Sequence, residues 1–163
     1  MSGEVHTGGC QCGAVRYRVA GALTGAHVCH CRMCQKATGN YFMPLARAQL
    51  SEFSFTRGEP AWFRSSGAVR RGFCASCGTP MFFDIPGRDV LSVALGTLDD
   101  PAAVPPRFQC GTEGRMPWFA DLAGLPSDPA DDAAWYEEIA ASGINQHPDS
   151  DTAEWTVRGE AGR

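Results

Sequence analysis

Seven of the eight cysteines in this chain fall into three short groups: Cys10 and Cys12, then Cys29, Cys31 and Cys34, then Cys74 and Cys77, with Cys110 apart. In a reducing compartment, thiols this closely spaced are read as metal ligands or redox centres before disulfides. A disulfide between Cys10 and Cys12, or between Cys29 and Cys31, would also close a very small, strained ring. Soft thiolates favour Zn(II), Cu(I) or iron–sulfur clusters, and paired cysteines on tight turns suit tetrahedral zinc best. Cys74-Ala75-Ser76-Cys77-Gly78 is such a turn. Its glycine lets the backbone fold sharply and aim N–H groups at sulfur. Cys10-Gln11-Cys12-Gly13 is a shortened version of the same device. Two turns with two thiolates each make a closed shell, so Cys10, Cys12, Cys74 and Cys77 are expected to hold a structural zinc; the alternative is a set of buried, unmetallated thiols.

The middle group, Cys29-His30-Cys31-Arg32-Met33-Cys34, offers three thiolates on one turn that runs into a short helix. Three protein ligands leave a tetrahedral zinc one open position, which is what catalysis at a metal requires. A second closed site completed by His27, His30 or Cys110 is one alternative. A redox pair of Cys31 and Cys34 is another, but that motif normally opens a helix in a βαβ setting, and no such pattern follows. The open site is the preferred reading.

Short strands must position these turns. Residues 14–19 alternate apolar and charged, as a half-buried strand does. Further strand candidates lie at 41–46, 53–57, 62–64, 70–73, 80–84, 90–95 and 108–112, separated by Ser, Gly and Pro. Residues 35–38 read as a helical turn capped by Gly39. Many short strands and few helices predict a mainly β domain, a small sandwich or folded sheet. Asp128-Pro129 starts a helix over 131–141, with Trp135 and Ile139 on one face expected to pack on the sheet and Gly143 ending it. Beyond Gly143 the polar sequence reads as loose apart from Trp155. The division is therefore residues 1–122 as the zinc-binding domain and 123–163 as a C-terminal extension with one helix, packed on it or flexible.

Composition narrows the class. The chain has 163 residues, 44% of them apolar and 20% charged, which fits one globular domain and excludes disorder. The balance of 14 Lys+Arg against 18 Asp+Glu, net −4, carries no basic footprint for nucleic acid. Apolar runs are too short to span a membrane, and the first residues have neither the charged nor the apolar region of a secretory signal. A cytoplasmic location is expected.

Three segments together carry a resemblance: Gly9-Cys10-Gln11-Cys12-Gly13-Ala14-Val15-Arg16-Tyr17, Cys29-His30-Cys31-Arg32-Met33-Cys34-Gln35-Lys36-Ala37-Thr38-Gly39 and Phe73-Cys74-Ala75-Ser76-Cys77-Gly78. The chain resembles the glutathione-dependent formaldehyde-activating enzymes, the GFA domain shared with centromere-protein-V-type proteins. Met116-Pro117-Trp118 looks like that family's closing Pro-Trp motif, so the likeness runs from about residue 5 to 118. It implies a β-tent fold with two zinc ions: one structural, on Cys10, Cys12, Cys74 and Cys77, and one labile or catalytic, on Cys29, Cys31 and Cys34. It also implies glutathione as cosubstrate, an aldehyde as its partner and carbon–sulfur lyase activity, with a non-catalytic thiol carrier or a structural interaction module as alternatives. Members often have a histidine early in the late strand, where this chain has Phe108-Gln109-Cys110. Cys110 is therefore read as a core residue first, and as a thiol near the zinc or a resolving cysteine second.

Glutathione carries two carboxylates, so cations near the triad should hold it. Arg32 and Lys36 flank the cluster and are the candidates, followed by Arg47, Arg70 and Arg71; His6, His27 and His30 are candidate acids. The reading allows a homodimer.

Overall fold

The computed structural model describes residues 4–126 and 133–157. Ten strands form two sheets. The smaller holds β1 (His6–Gly9), β2 (Arg16–Val19) and β5 (Phe53–Arg57), antiparallel in the order β1-β2-β5. The larger holds β3 (Thr24–Cys29), β4 (Met43–Gln49), β6 (Ala61–Arg64), β7 (Arg70–Phe73), β8 (Pro80–Asp84), β9 (Val90–Ala94) and β10 (Phe108–Cys110), ordered β10-β3-β4-β9-β8-β7-β6. Every pairing in it is antiparallel except β10 with β3.

The sheets meet through aromatic packing. Tyr17 on β2 is fully buried, stacks on Phe53 at 5.6 Å and meets Phe82 of β8 edge-on at 5.4 Å. Its hydroxyl shares a 2.8 Å hydrogen bond with Thr97, so the one polar atom carried into the core is satisfied. A second, smaller apolar cluster contains Met43, Leu45 and Ala94 and encloses Cys29 and Cys34. The triad thus sits on packed material rather than on a free loop.

Eight of the expected strands form, with ends shifted by one to three residues where they differ. Two strands, β1 and β3, carried no alternating apolar signal: His6-Thr7-Gly8-Gly9 and Thr24-Gly25-Ala26-His27-Val28-Cys29 are polar or small. They are strands because their neighbours pair with them. Alternation in residues 14–19 also misplaced Arg16. It is 3% exposed, because its guanidinium holds Asp99 at 2.6 and 2.8 Å and Asp151 at 2.7 Å.

Helix α1 (Arg32–Thr38) starts three residues before the expected turn and ends as expected on Gly39, whose φ of 64° a glycine adopts without strain. Helix α2 (Ala133–Ala141) forms, while its expected cap at Asp128 and Pro129 lies outside the described residues. The expected packing of α2 is overturned. Trp135 is 55% and Ile139 40% exposed, and Trp135 lies against its neighbour Tyr136 at 5.2 Å. The docking is made after Gly143 instead, in the segment expected to be loose. His147 is buried there, its amide donates to the Gln11 carbonyl at 2.7 Å, and Val157 packs on the main core.

Candidate metal centres and the cavity over the triad

Each two-thiol turn of the four-thiol cluster is built from its own backbone. The Cys10 amide donates to the Val15 carbonyl at 2.9 Å, and the Gly13 amide to the Cys10 carbonyl at 3.0 Å. The Val15 amide then points at the Cys10 sulfur, 3.2 Å away. In the β7–β8 turn the Cys74 amide donates to Thr79 at 3.0 Å, and the Gly78 amide to Cys74 at 2.9 Å. Because the first turn links two strands of the small sheet and the second links two strands of the large one, the cluster joins the sheets. The four sulfurs lie within 4.8 Å of one another; Cys10 to Cys12 is 3.7 Å and Cys12 to Cys74 is 3.8 Å. Four sulfurs about 2.3 Å from a central zinc must be about 3.8 Å apart, so the donor set fits that ion. These distances are far too long for disulfides.

The electrostatics of the set point the same way. Burial pushes the Cys10 and Cys12 thiols up, and neighbouring sulfurs push them further. Burial acts upward on Cys77 too, but hydrogen bonds from Thr79 and from the Cys12 backbone outweigh it and bring that thiol down to about 6. Four thiolates this close repel one another unless a cation sits among them.

The second cluster is assembled by three elements. Cys29 ends β3, Cys31 is the residue before α1, and Cys34 lies on the buried side of α1. Their sulfurs lie within 4.8 Å of one another, a set of three that could hold a metal. Burial lifts Cys34 to about 12, although Arg71 donates to its sulfur from 3.4 Å and pulls the other way. Cys31 is lowered: burial would raise it, but the Cys34 amide, the neighbouring sulfurs and the charge of Arg71 prevail.

Two glycines let the chain after β10 close on this turn. A Cβ on Gly111, whose φ is 61°, would lie 2.7 Å from the Cys31 amide nitrogen, and one on Gly114 would lie 2.6 Å from the His30 carbonyl. Gln35, 3% exposed, clamps the same place, donating to the carbonyls of His30 at 2.9 Å and Gly114 at 2.8 Å. A buried glutamine one residue after a cysteine carries no signal in the sequence, so this clamp was not foreseen.

A cavity of about 610 Å³ opens over the triad. Cys29, Cys31 and Cys34 line one part, Leu45, Phe83, Ile85 and Val90 another, and Arg47, Arg71 and Arg88 supply positive charge. Arg32 and Lys36 are not among its lining residues; both are exposed on α1, and Arg32 is held by Gln35 at 3.1 Å. Arg70 is committed to Asp84 at 2.5 Å and lies over the Trp62 ring at 4.1 Å. Arg88 was not singled out in the sequence, because a lone arginine after Pro86-Gly87 reads as a turn residue.

Of the three candidate histidines only His27 lines the cavity, with its Nδ1 2.8 Å from the Gly25 carbonyl. His30 is fully buried between Gln109, 2.9 Å from its Nε2, and the Phe119 ring at 4.6 Å. His6 lies in β1, 3.0 Å from Glu4. Cys110 is opposite Cys29 in the parallel ladder and lines the cavity at the edge of the smaller core cluster. Burial and the Cys29 and Cys31 sulfurs raise its thiol to about 11. Trp118, of the Met116-Pro117-Trp118 motif, packs edge-on against Tyr41 at 4.5 Å outside the cavity.

Residues 5–113 match the family described as glutathione-dependent formaldehyde-activating enzyme. The chain belongs to that family. The fold agrees: a crystal structure of a Rhodobacter sphaeroides protein superposes with a TM-score of 0.51 at 23% identity, over 63% of this chain and 98% of that one. The GFA domain therefore includes both cysteine clusters and the cavity's three arginines, and the docked tail at 144–157 lies beyond it.

Proposed function

We propose that this GFA-family protein is a carbon–sulfur lyase that forms or cleaves an S-hydroxymethyl adduct of glutathione or a similar anionic thiol. The reading rests on one observation: three thiols whose sulfurs lie within 4.8 Å of one another gather at a cavity that also carries three arginines, with Cys110 lining the cavity outside that set. Cys29, Cys31 and Cys34 would hold a divalent metal such as zinc, which supplies a Lewis-acid position that favours the thiolate form of an incoming thiol. Cys10, Cys12, Cys74 and Cys77 would hold a second ion whose role is to tie the two sheets together.

The chain's own residues do the rest. Arg47 and Arg88, exposed at the cavity, suit the carboxylates of a peptide thiol. Leu45, Ile85, Phe83 and Val90 give the site an apolar wall, which strengthens every charge interaction inside it. The substrate sulfur attacks the aldehyde carbon, a carbon–sulfur bond forms, and the carbonyl oxygen takes up a proton; cleavage reverses each change. His27 is the cavity's imidazole and suits the proton transfer. No helix among the described residues is long and apolar enough to cross a membrane.

Formaldehyde adds to thiols without help, so the test must read exchange above that background. With ¹³C-formaldehyde and glutathione, NMR exchange between free aldehyde and adduct should quicken in proportion to wild-type protein. Cys31→Ser should abolish the effect while the thermal melt persists. Exchange at the uncatalysed rate, with saturable glutathione binding, would make the protein a carrier instead.

A further inference from the structure

Arg71 carries charge where charge is costly. It projects from β7 with 6% exposure, and among the described residues no carboxylate lies within ion-pairing distance. Arg16, equally buried, has two carboxylates. The Arg71 guanidinium donates instead to sulfur, to Cys34 at 3.4 Å and to Met43 at 3.5 Å. Its centre lies 5.2 Å from the Phe83 ring, and its Nε has no partner. A buried cation without a counter-charge destabilises the fold, and of these contacts only the Cys34 sulfur can be anionic. The arginine is therefore placed to balance the negative charge that the triad would carry as metal-bound thiolates.

We propose that Arg71 is the counter-ion that lets the Cys29, Cys31 and Cys34 site accept a further anionic sulfur, and so selects thiolates over neutral ligands. This rests on the reading of the triad as the thiol site. Three thiolates around a dication leave a net charge of −1, and a fourth thiolate makes it −2. Arg71 offsets one of those charges across a partly buried, low-dielectric gap. Its permanent charge and forked donors suit that task, since it need not share its proton with the sulfurs it faces. Arg71 acts on the incoming sulfur through the field of the site and so is a positioning residue.

The test uses full-length protein with cobalt(II) in place of zinc, titrated separately with glutathione, cysteamine and imidazole, and read by the cobalt absorption bands. Arg71→Met and Arg71→Gln should weaken both thiols by about tenfold or more. Arg71→Lys should recover most of that loss, and imidazole, which is neutral, should shift by less than about threefold in every variant. Thiol binding unchanged in Arg71→Met, a loss as large for imidazole as for thiols, or failure of Arg71→Lys to recover would each overturn the proposal. Should Arg71→Met not fold, Phe83→Glu gives the guanidinium a competing carboxylate and should produce the same loss; no loss there also overturns it. A wild-type spectrum indifferent to every thiol would sink the thiol site itself, whereas equal responses from wild type and Arg71→Met would sink this proposal alone.

Discussion

Two buried arginines, Arg16 and Arg71, show how far one residue's partners determine its meaning. Arg16 looked like a surface charge on an alternating strand, and only its pairing with Asp99 and Asp151, distant in sequence, makes its burial tolerable. Burial works against the Asp99 carboxylate, but the Arg16 donors and the Thr7 hydroxyl outweigh it and hold its pKa below the ordinary 3.8. Asp99→Asn should therefore cost about 2–4 kcal/mol at neutral pH, measured by denaturant unfolding. The sign of its pH dependence follows from the lowered value. The unfolded state binds the proton more tightly, so this contribution is complete above the unfolded pKa and is lost as pH falls through the folded one. The gap between variant and wild type should stay constant from pH 7 to about 5; a gap that narrows in that window would contradict the pairing. The cysteines, by contrast, were legible from spacing alone, because thiol chemistry depends on a few neighbours on one turn. Arg88 and Gln35 were not, since cavity and clamp are made by chain segments far apart.

At the scale of elements, β2 announced itself through alternation and the strands from β4 to β10 through apolar and aromatic runs between turn residues, whereas β1 and β3 owe their form to pairing. The tail was misread for a similar reason. Its polar residues suggested a loose end, yet His147, Asp151, Thr152 and Trp155 each have a partner elsewhere in the chain. Trp155 donates its indole N–H to the Cys12 carbonyl at 2.7 Å and packs on His147 at 4.5 Å. Arg57 donates to the Thr152 carbonyl at 2.7 Å. Gly13 admits this contact, since a Cβ there would lie 2.3 Å from the His147 ring. The tail thus backs the very turn that presents two of the four clustered thiols. Trp155→Phe removes one donor from a partly buried carbonyl and should lower stability by about 1–2 kcal/mol in a thermal melt. It should also speed chelator-driven release of the four-thiol metal, while glutathione affinity stays at the wild-type value. Unchanged release would mean that the tail decorates the turn without securing it.

For the whole molecule the two clusters divide the labour. One joins the small sheet to the large one, so a metal held there would be coupled to folding. The other lines a charged cavity and is packed into the smaller apolar cluster with Met43, Leu45 and Ala94. That division predicts two ions per chain with different fates under chelation. The most direct measurement follows metal release with a chromogenic chelator, alongside circular dichroism and glutathione binding on the same samples. The account predicts two zinc ions, the first leaving readily with all glutathione binding and no loss of fold, the second only as the domain unfolds. A single ion, simultaneous release of both, or glutathione binding that survives loss of the first would contradict it.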